Sequence, residues 1–71
     1  MMRLQMKIEV NGISHKLNKG LTLKGLIVHF SLPMEKIAIE RNLEIIPHAN
    51  YADTILEEGD KIEIVHFIGG G

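Results

Sequence analysis

The C-terminal stretch of the chain, residues 61–71, constrains the fold more than any other. In residues 61–68, isoleucines first alternate with charged side chains and then continue into an apolar run, which predicts a β-strand. Such a near-continuous apolar run is typical of a strand in the middle of a sheet, where both faces are partly covered. Glycines end the sequence, and glycine costs the most backbone entropy to order while offering no side chain to bury. We therefore expect a rigid central strand that continues into a flexible tail, residues 68–71.

The glycines also suit a chemical role for the end of the chain. A frayed terminus is the commoner interpretation of a glycine tail across proteins. Here, however, no polar residue follows Gly71 in the sequence, and a carboxylate on a thin stalk fits a slot too narrow for any Cβ. Residues 67–71 in extended form reach roughly 15 Å at ~3.3 Å per residue, enough to enter a buried site. An enzyme that activates a terminal carboxyl group needs a substrate of this shape.

Length and composition narrow the class of protein. The 71 residues predict a single domain, 1–71, and a hydrophobic content of 45% is normal for a globular chain. The sequence has no cysteine, so it offers neither a disulfide nor a thiol nucleophile. A net charge of −1 and a pI near 6.4 argue against a general nucleic-acid binder. The absence of cysteine fits a cytoplasmic setting. Charges interrupt the short apolar runs near the N-terminus, which argues against a signal peptide or a membrane span.

The N-terminal part of the chain predicts a β-hairpin. Apolar and polar side chains alternate from Leu4 to Val10, the pattern of a strand with one buried face. Asn11-Gly12 is well suited to a type I′ turn, because both residues adopt positive φ readily. The segment from residue 13 to residue 17 then predicts the returning strand.

A single amphipathic helix is predicted next. Thr22 is suited to the N-cap position, and Ser31-Leu32-Pro33 ends the helix because the residue before proline avoids the α region. The apolar positions between them fall on one helical stripe: Leu23, Leu26, Ile27 and Phe30. In so small a chain we expect this stripe to face the core rather than a partner.

Three short elements precede the final strand. Residues 37–41 and 44–46 predict two strands joined by Asn42-Leu43, a turn that is either of an unusual type or strained, because leucine disfavours positive φ. Residues 48–56 predict an irregular loop with one helical turn. Three side chains are expected to fix this loop on the core: Tyr51, Ile55 and Leu56. Together these elements predict an α+β fold, with one helix on one face of a mixed sheet of four to five strands and the first strand beside the last.

The order of elements and several sequence segments resemble the ubiquitin-like β-grasp family, and within it the ThiS-type sulfur carriers of thiamin biosynthesis. The segments are Ile37–Asn42, Glu44–Pro47, Leu56–Asp60 and Ile62–Gly71. The hairpin turn at Asn11-Gly12 and the helix start at Thr22 also fit, so the resemblance covers essentially the whole chain. Leu43 and His48 depart from the family pattern, in which these positions are usually glycine and often arginine, respectively.

The resemblance implies a reaction at the C-terminus. A ThiF-type adenylating enzyme uses ATP to adenylate the carboxylate of Gly71, and sulfur from a persulfide on a donor protein replaces AMP to give a thiocarboxylate. A ThiG-type thiazole synthase then takes this sulfur. The resemblance therefore implies a protein co-substrate rather than an enzyme, with no bound cofactor, no nucleic-acid or membrane partner, and a monomeric free state.

Contacts with these partners are expected beside the reactive terminus, at Val65, Phe67, Ile68, Gly69 and Gly70. If the isoleucines of the last strand face the helix, Val65 and Phe67 face outward by alternation. An exposed apolar pair at this place is typical of a docking surface. The alternative, in which both side chains pack under the loop of residues 48–56, stays open.

The sequence gives less support for a metal site than for a reactive C-terminus. Without i, i+4 pairing or cysteine neighbours, the histidines are better interpreted as solvated or sheet-edge residues: His15, His29, His48 and His66. The acidic residues of 57–60 predict a solvated turn, because a calcium loop needs more ligand positions in a fixed order.

Three functions remain open from the sequence. The first is the sulfur carrier for thiazole formation. The second is a related carrier, either the small subunit of molybdopterin synthase or a ubiquitin-like modifier of lysines. The third is a non-covalent β-grasp interaction module in which the glycines have no chemical role.

Overall fold

The computed structural model describes residues 4–67. Residues 1–3 and the predicted tail, 68–71, lie outside the described residues. The main elements are, in chain order, β1 (Gln5–Val10), β2 (Ile13–Asn18), α1 (Leu23–His29), β3 (Ile37–Arg41), β4 (Glu44–Ile46) and β5 (Lys61–His66). Two short 3-10 turns, Met34–Lys36 and His48–Asn50, lie in the connections.

The strands form one mixed sheet in the order β2-β1-β5-β3-β4. β5 pairs in parallel with β1 and antiparallel with β3, so the two hairpins of the chain flank the last strand. A parallel pair cannot be joined by a tight turn, and the helix and the second hairpin separate β1 from β5 in the sequence. The predicted α+β class, the central position of the last strand and its pairing with the first strand are confirmed, and the sheet has five strands within residues 4–67.

Helix α1 begins and ends where the sequence predicts. Thr22 has an extended backbone, with φ −93° and ψ 170°, and its Oγ1 accepts a hydrogen bond of 3.0 Å from the Gly25 N–H. At the other end Ser31 adopts a left-handed φ of 54°. The N–H groups of Ser31 and Leu32 donate back to carbonyls of the last turn, which is the Schellman arrangement.

The core lies between this helix and one face of the sheet. It contains residues from the sheet, the helix and the loop before β5: Met6, Ile8, Val10, Leu17, Leu23, Leu26, Ile27, Ile37, Ile39, Tyr51, Leu56 and Ile62. The predicted helical stripe faces this core, and its last member, Phe30, is half-buried as the C-cap of the helix. The other face of the sheet carries no helix within the described residues, and its side chains are therefore available to solvent.

The loop before β5 packs on the helix start through two of its three predicted side chains. Tyr51 and Leu56 are buried, but Ile55 is 58% exposed, so the prediction for Ile55 was wrong. Ile55 forms an isolated bridge with Thr22, and the Leu56 N–H donates to the Leu21 carbonyl at 2.9 Å. Neighbouring side chains point in opposite directions in extended backbone, so Leu56 takes the core position and Ile55 faces solvent.

The turn between β3 and β4 is strained. Asn42 and Leu43 have φ values of 51° and 72°, the positive pair of a type I′ turn. The Leu43 side chain is 91% exposed, so no burial compensates for its left-handed backbone. The sequence left two possibilities for this turn, an unusual turn type or a strained type I′ turn, and the structure has the strained turn.

We expect Leu43→Gly to raise the free energy of unfolding by about 1 kcal/mol. The left-handed region costs a residue with a Cβ roughly 1–2 kcal/mol, and the greater freedom of glycine in the unfolded chain offsets part of that gain. Urea unfolding followed by circular dichroism measures the change. Leu43→Ala is the control, because alanine keeps the Cβ and hence the strain. A glycine variant no more stable than the alanine variant would show that this turn stores no strain.

Candidate functional site

The candidate site lies at the end of β5, the strand that leads to the glycines. Ile62 is buried and Ile64 is half-buried, so the even-numbered residues of β5 face the helix side. Val65 and Phe67 are 54% and 51% exposed. Both side chains therefore face solvent and do not pack under the loop of residues 48–56.

Two further apolar side chains extend this surface across the sheet. Val65 of β5 pairs with Ala38 of β3. Ile45 of β4 pairs with Glu40 of β3, which is the next residue after Ala38 on the same face of that strand. Ile45 is 74% exposed. We call Ala38, Ile45, Val65 and Phe67 the outer apolar strip. Ala38 and Ile45 were not among the predicted site residues. A signal for them exists in the sequence, because each is next to another apolar residue of the same strand, Ile37 or Ile46, and neighbours in a strand face opposite sides of the sheet.

Acidic side chains lie beside the outer apolar strip. Glu40 and Glu63 face each other across β3 and β5 on the same outer face. Like charges directly opposite in a sheet repel each other, so their placement here gives no stability to the fold. Such a pair next to an apolar surface favours a partner with basic groups at the rim of its interface.

A groove lies against the opposite face of β5. It has a volume of about 290 Å³ and an apolar floor, with these lining residues: Val10, Asn11, Ile13, His15, Phe30, Leu32, Ile64 and His66. The groove exists because the helix ends at His29, before the sheet does, which leaves part of the core face uncovered. The end of β5 is thus accessible from both sides.

The start of β5 is fixed by a network around Asp60, which is only 6% exposed. Its Oδ2 accepts hydrogen bonds of 2.8 Å from both Arg41 Nε and the Glu57 N–H, and its Oδ1 accepts one of 3.1 Å from Asn42 Nδ2. Burial alone raises the pKa of this carboxyl, but the hydrogen bonds from Glu57, Asn42 and Arg41 and the charge of Arg41 outweigh it, so the pKa lies below its ordinary value. The predicted solvated turn is therefore wrong for Asp60 and correct for the exposed Glu57 and Glu58.

Aromatic rings contact three of the histidines within residues 4–67: His15, His29 and His48. His15 and His29 pack edge-on against Phe30, at ring-centre distances of 5.1 Å and 4.9 Å. The Nε2 atom of His48, the position where the family often has arginine, lies 2.8 Å from the Ile37 carbonyl. Residues 4–67 contain no cluster of three or more histidine, cysteine or acidic side chains that could hold a metal ion.

The structure divides the predicted site residues into two groups. Val65 and Phe67 lie together on the outer face of the sheet. The others lie outside the described residues: Ile68, Gly69, Gly70 and Gly71. Among residues 4–67, no helix has the length and apolar character needed to cross a membrane.

The sequence and the fold both match known proteins. The profile of the ThiS family matches residues 8–71. The chain is 38% identical over 65 residues to the sulfur carrier protein ThiS of Bacillus subtilis, which covers 90% of this chain and 98% of that protein. A crystal structure of the thiamine biosynthesis protein ThiS from Geobacter metallireducens matches with a TM-score of 0.81 and 26% identity, over 93% of this chain and 100% of that one.

Larger proteins also contain a region similar to this chain. A thiazole synthase from Magnetococcus marinus is 46% identical over 66 residues, which covers 93% of this chain and 20% of that protein. The chain spans about one fifth of the length of the thiazole synthases that it matches. Because the family profile extends over most of the sequence, and the Bacillus subtilis protein aligns over nearly its whole length, this chain belongs to the ThiS family, whose β-grasp fold it shares.

Proposed function

We propose that this chain is a sulfur carrier of thiamin biosynthesis, which acts as a protein co-substrate rather than as an enzyme. Its reactive group is the carboxylate of Gly71. A ThiF-type adenylating enzyme activates this group with ATP, and a ThiG-type thiazole synthase receives the sulfur. No cofactor is bound to the carrier itself.

The outer apolar strip is the observation that carries this proposal. Val65 lies near the end of β5 and Phe67 directly follows this strand, shortly before the glycines in the sequence, so a partner docked on the strip has the C-terminus within reach. The profile match of residues 8–71 includes both the strip and the glycines. Thiazole synthases with a region like this chain support the assignment of thiazole synthase as one partner.

The proposed chemistry needs no side chain of the carrier to form a bond. A carboxylate oxygen of Gly71 attacks the α-phosphorus of ATP, and pyrophosphate leaves. The terminal sulfur of a persulfide then attacks the acyl carbon, and AMP leaves. A thiol cleaves the resulting S–S bond, which gives the thiocarboxylate and a disulfide on the donor side. The absence of cysteine from the carrier fits this route, because the acyl group itself holds the sulfur.

Reconstitution with purified proteins tests the proposal. The chain is incubated with ATP, a ThiF-type enzyme, a protein persulfide and a thiol, and AMP release and the intact mass are followed. We expect AMP to form and the mass to rise by the difference between sulfur and oxygen. Conjugation to lysines would instead indicate a ubiquitin-like modifier. A chain that stays unmodified, without any AMP release, would indicate a non-covalent module and refute the proposal.

The outer apolar strip gives a second prediction. We expect Val65→Gln to raise the KM of the adenylating enzyme for the carrier about tenfold, or ~1.4 kcal/mol, because a polar side chain then enters the centre of the interface. Val28→Gln is the matched control, since Val28 is 69% exposed on the helix and lies on the other side of the molecule. Equal KM values for the two variants, measured by AMP release at several carrier concentrations, would rule out docking on the strip.

A further inference from the structure

The side chain of Asn11 contacts both backbone polar groups of Ile64, in the second half of β5. The Ile64 N–H donates to Asn11 Oδ1 at 2.7 Å, and Asn11 Nδ2 donates to the Ile64 carbonyl at 3.3 Å. The two residues are 53 positions apart in the sequence. An amide side chain has one donor side and one acceptor side, as a peptide group does, so it can take the place of a strand residue in a ladder.

Asn11 occupies that place because the backbone of β1 turns away at this point. The parallel register of β1 and β5 ends at Val10 opposite Ile62, and the Asn11 N–H donates to the Ile62 carbonyl at 2.9 Å. Asn11 itself has a φ of 48°, which starts the hairpin turn into β2. The Asn11 side chain therefore continues the β1 edge by one further step along β5.

The other edge of β5 is paired much further toward the C-terminus. On that side the register with β3 continues to Ile37 opposite His66, and the Phe67 N–H donates to the Lys36 carbonyl at 2.7 Å. Without the Asn11 amide, β5 after Ile62 would be bonded along this edge only. A strand bonded along one edge twists and bends more easily than one bonded along both.

We infer that Asn11 is a positioning residue for the proposed reaction. By bonding Ile64 on the second edge, it fixes the direction in which β5 leads toward residues 68–71 and hence toward the partner's active site. This inference rests on the proposed function. Asn11 has a role separate from that of the outer apolar strip. The strip determines the affinity of a partner for the carrier, and Asn11 determines the fraction of bound carriers whose terminus is oriented for the reaction.

Asn42 provides a matched control. It occupies the corresponding place in the other hairpin, with a φ of 51°. Its Oδ1 accepts a hydrogen bond of 2.9 Å from the Lys61 N–H, at the start of β5, and its Nδ2 donates to Asp60. Glycine tolerates positive φ, so Asn11→Gly and Asn42→Gly both keep their turns and remove only an amide from the edge of β5.

The test compares AMP release in the reconstituted system, with the ThiF-type enzyme, ATP, a protein persulfide and a thiol, for the parent chain and the two glycine variants, at a temperature where circular dichroism shows all three folded. We expect Asn11→Gly to lower kcat about tenfold while KM stays within about twofold. A reacting group that is bound but badly oriented lowers the rate of the bound complex and leaves its affinity unchanged. Asn42→Gly should leave both constants within about twofold. Asn11→Asp keeps the acceptor for the Ile64 N–H and should recover part of kcat.

Amide hydrogen exchange supplies a readout that does not depend on the reaction. The Ile64 and Phe67 amides should exchange faster in Asn11→Gly than in the parent, and these two amides should be unchanged in Asn42→Gly. Equal kcat values for the two glycine variants would mean that Asn11 is only a turn residue, and the inference would be wrong. If the parent chain itself releases no AMP, the proposed function fails. The exchange result is independent of that outcome: unchanged exchange rates of the Ile64 and Phe67 amides in Asn11→Gly would refute the structural role of Asn11 beside β5, whether or not AMP is released.

Discussion

A variant with one serine added after Gly71 is expected to fold like the parent chain and to lose sulfur transfer by at least about 100-fold, since a reacting group misplaced by even one ångström costs on this order. In this variant the Gly71 carboxyl is part of a peptide bond and cannot be adenylated. The new terminal residue has a Cβ and a side chain, which we expect a slot that admits only glycine to exclude. Thiocarboxylate formation in the reconstituted system measures the loss.

A glycine added at the same place is the control for this extension. It lengthens the chain by the same amount without adding a side chain, so it separates the effect of length from the effect of bulk. We expect it to retain more activity than the serine extension. Thermal unfolding should be the same for both extended chains and the parent, because the last residue that packs on the core within residues 4–67 is Ile64, well before the site of the extension. A serine-extended chain that forms thiocarboxylate at the parent rate would refute the proposed mechanism.

Asp60→Ala is expected to lower the free energy of unfolding by about 3 kcal/mol, which is the usual cost of removing one partner of a buried, hydrogen-bonded ion pair. The substitution leaves the Arg41 guanidinium, whose side chain is 23% exposed, without its shorter ion pair. It also removes the acceptor for the Glu57 N–H and for Asn42 Nδ2. Both donors lie in the segments that fix the start of β5.

Glu57→Ala is the matched control for Asp60→Ala. The Glu57 side chain also pairs with Arg41, at 3.2 Å, but it is 78% exposed. Exposed pairs contribute little because water and salt screen them, so we expect a loss below about 0.5 kcal/mol. Urea unfolding at neutral pH compares the two variants. Losses of equal size would mean that burial of the Asp60 pair adds nothing to stability.

The lowered pKa of the Asp60 carboxyl makes the stability of the fold depend on pH. Since the pKa of Asp60 is lower in the folded chain than its ordinary value of 3.8, the folded state favours the ionised form. The stability that Asp60 contributes is therefore fully present well above pH 3.8 and is lost as the pH falls through 3.8 toward the lower folded pKa. Asp60→Asn should show a smaller loss of stability over that acid range than the parent chain, when both are measured by urea unfolding.

Periodicity in the sequence was sufficient to predict the five strands and the helix. Alternation identified the strands, and the near-continuous apolar run of β5 indicated its central place, because a strand covered on both faces needs apolar residues on both. Alternation alone could not decide whether Val65 and Phe67 are exposed. That depends on whether the loop of residues 48–56 covers the outer face, and its buried residues Tyr51 and Leu56 instead pack on the helix side.

Two side-chain contacts that the sequence did not predict join residues that are distant along the chain. Asp60 looks like part of a solvated acidic turn, but Arg41, 19 positions away, pairs with it and allows its burial. Asn11 looks like a turn residue and is one, yet its side chain bonds Ile64 across the sheet. Neither contact has a local signature, because the residue types are also those that an ordinary surface turn would contain.

The location of sulfur on the protein tests the central claim most directly. The carrier is purified from its own host during active thiamin synthesis, and its C-terminal peptide is sequenced by tandem mass spectrometry. We predict that one oxygen of the Gly71 carboxyl is replaced by sulfur in part of the population, and that no other residue carries sulfur from the donor. A Gly71 carboxyl that is unmodified in every molecule while the cells form thiazole would contradict the account.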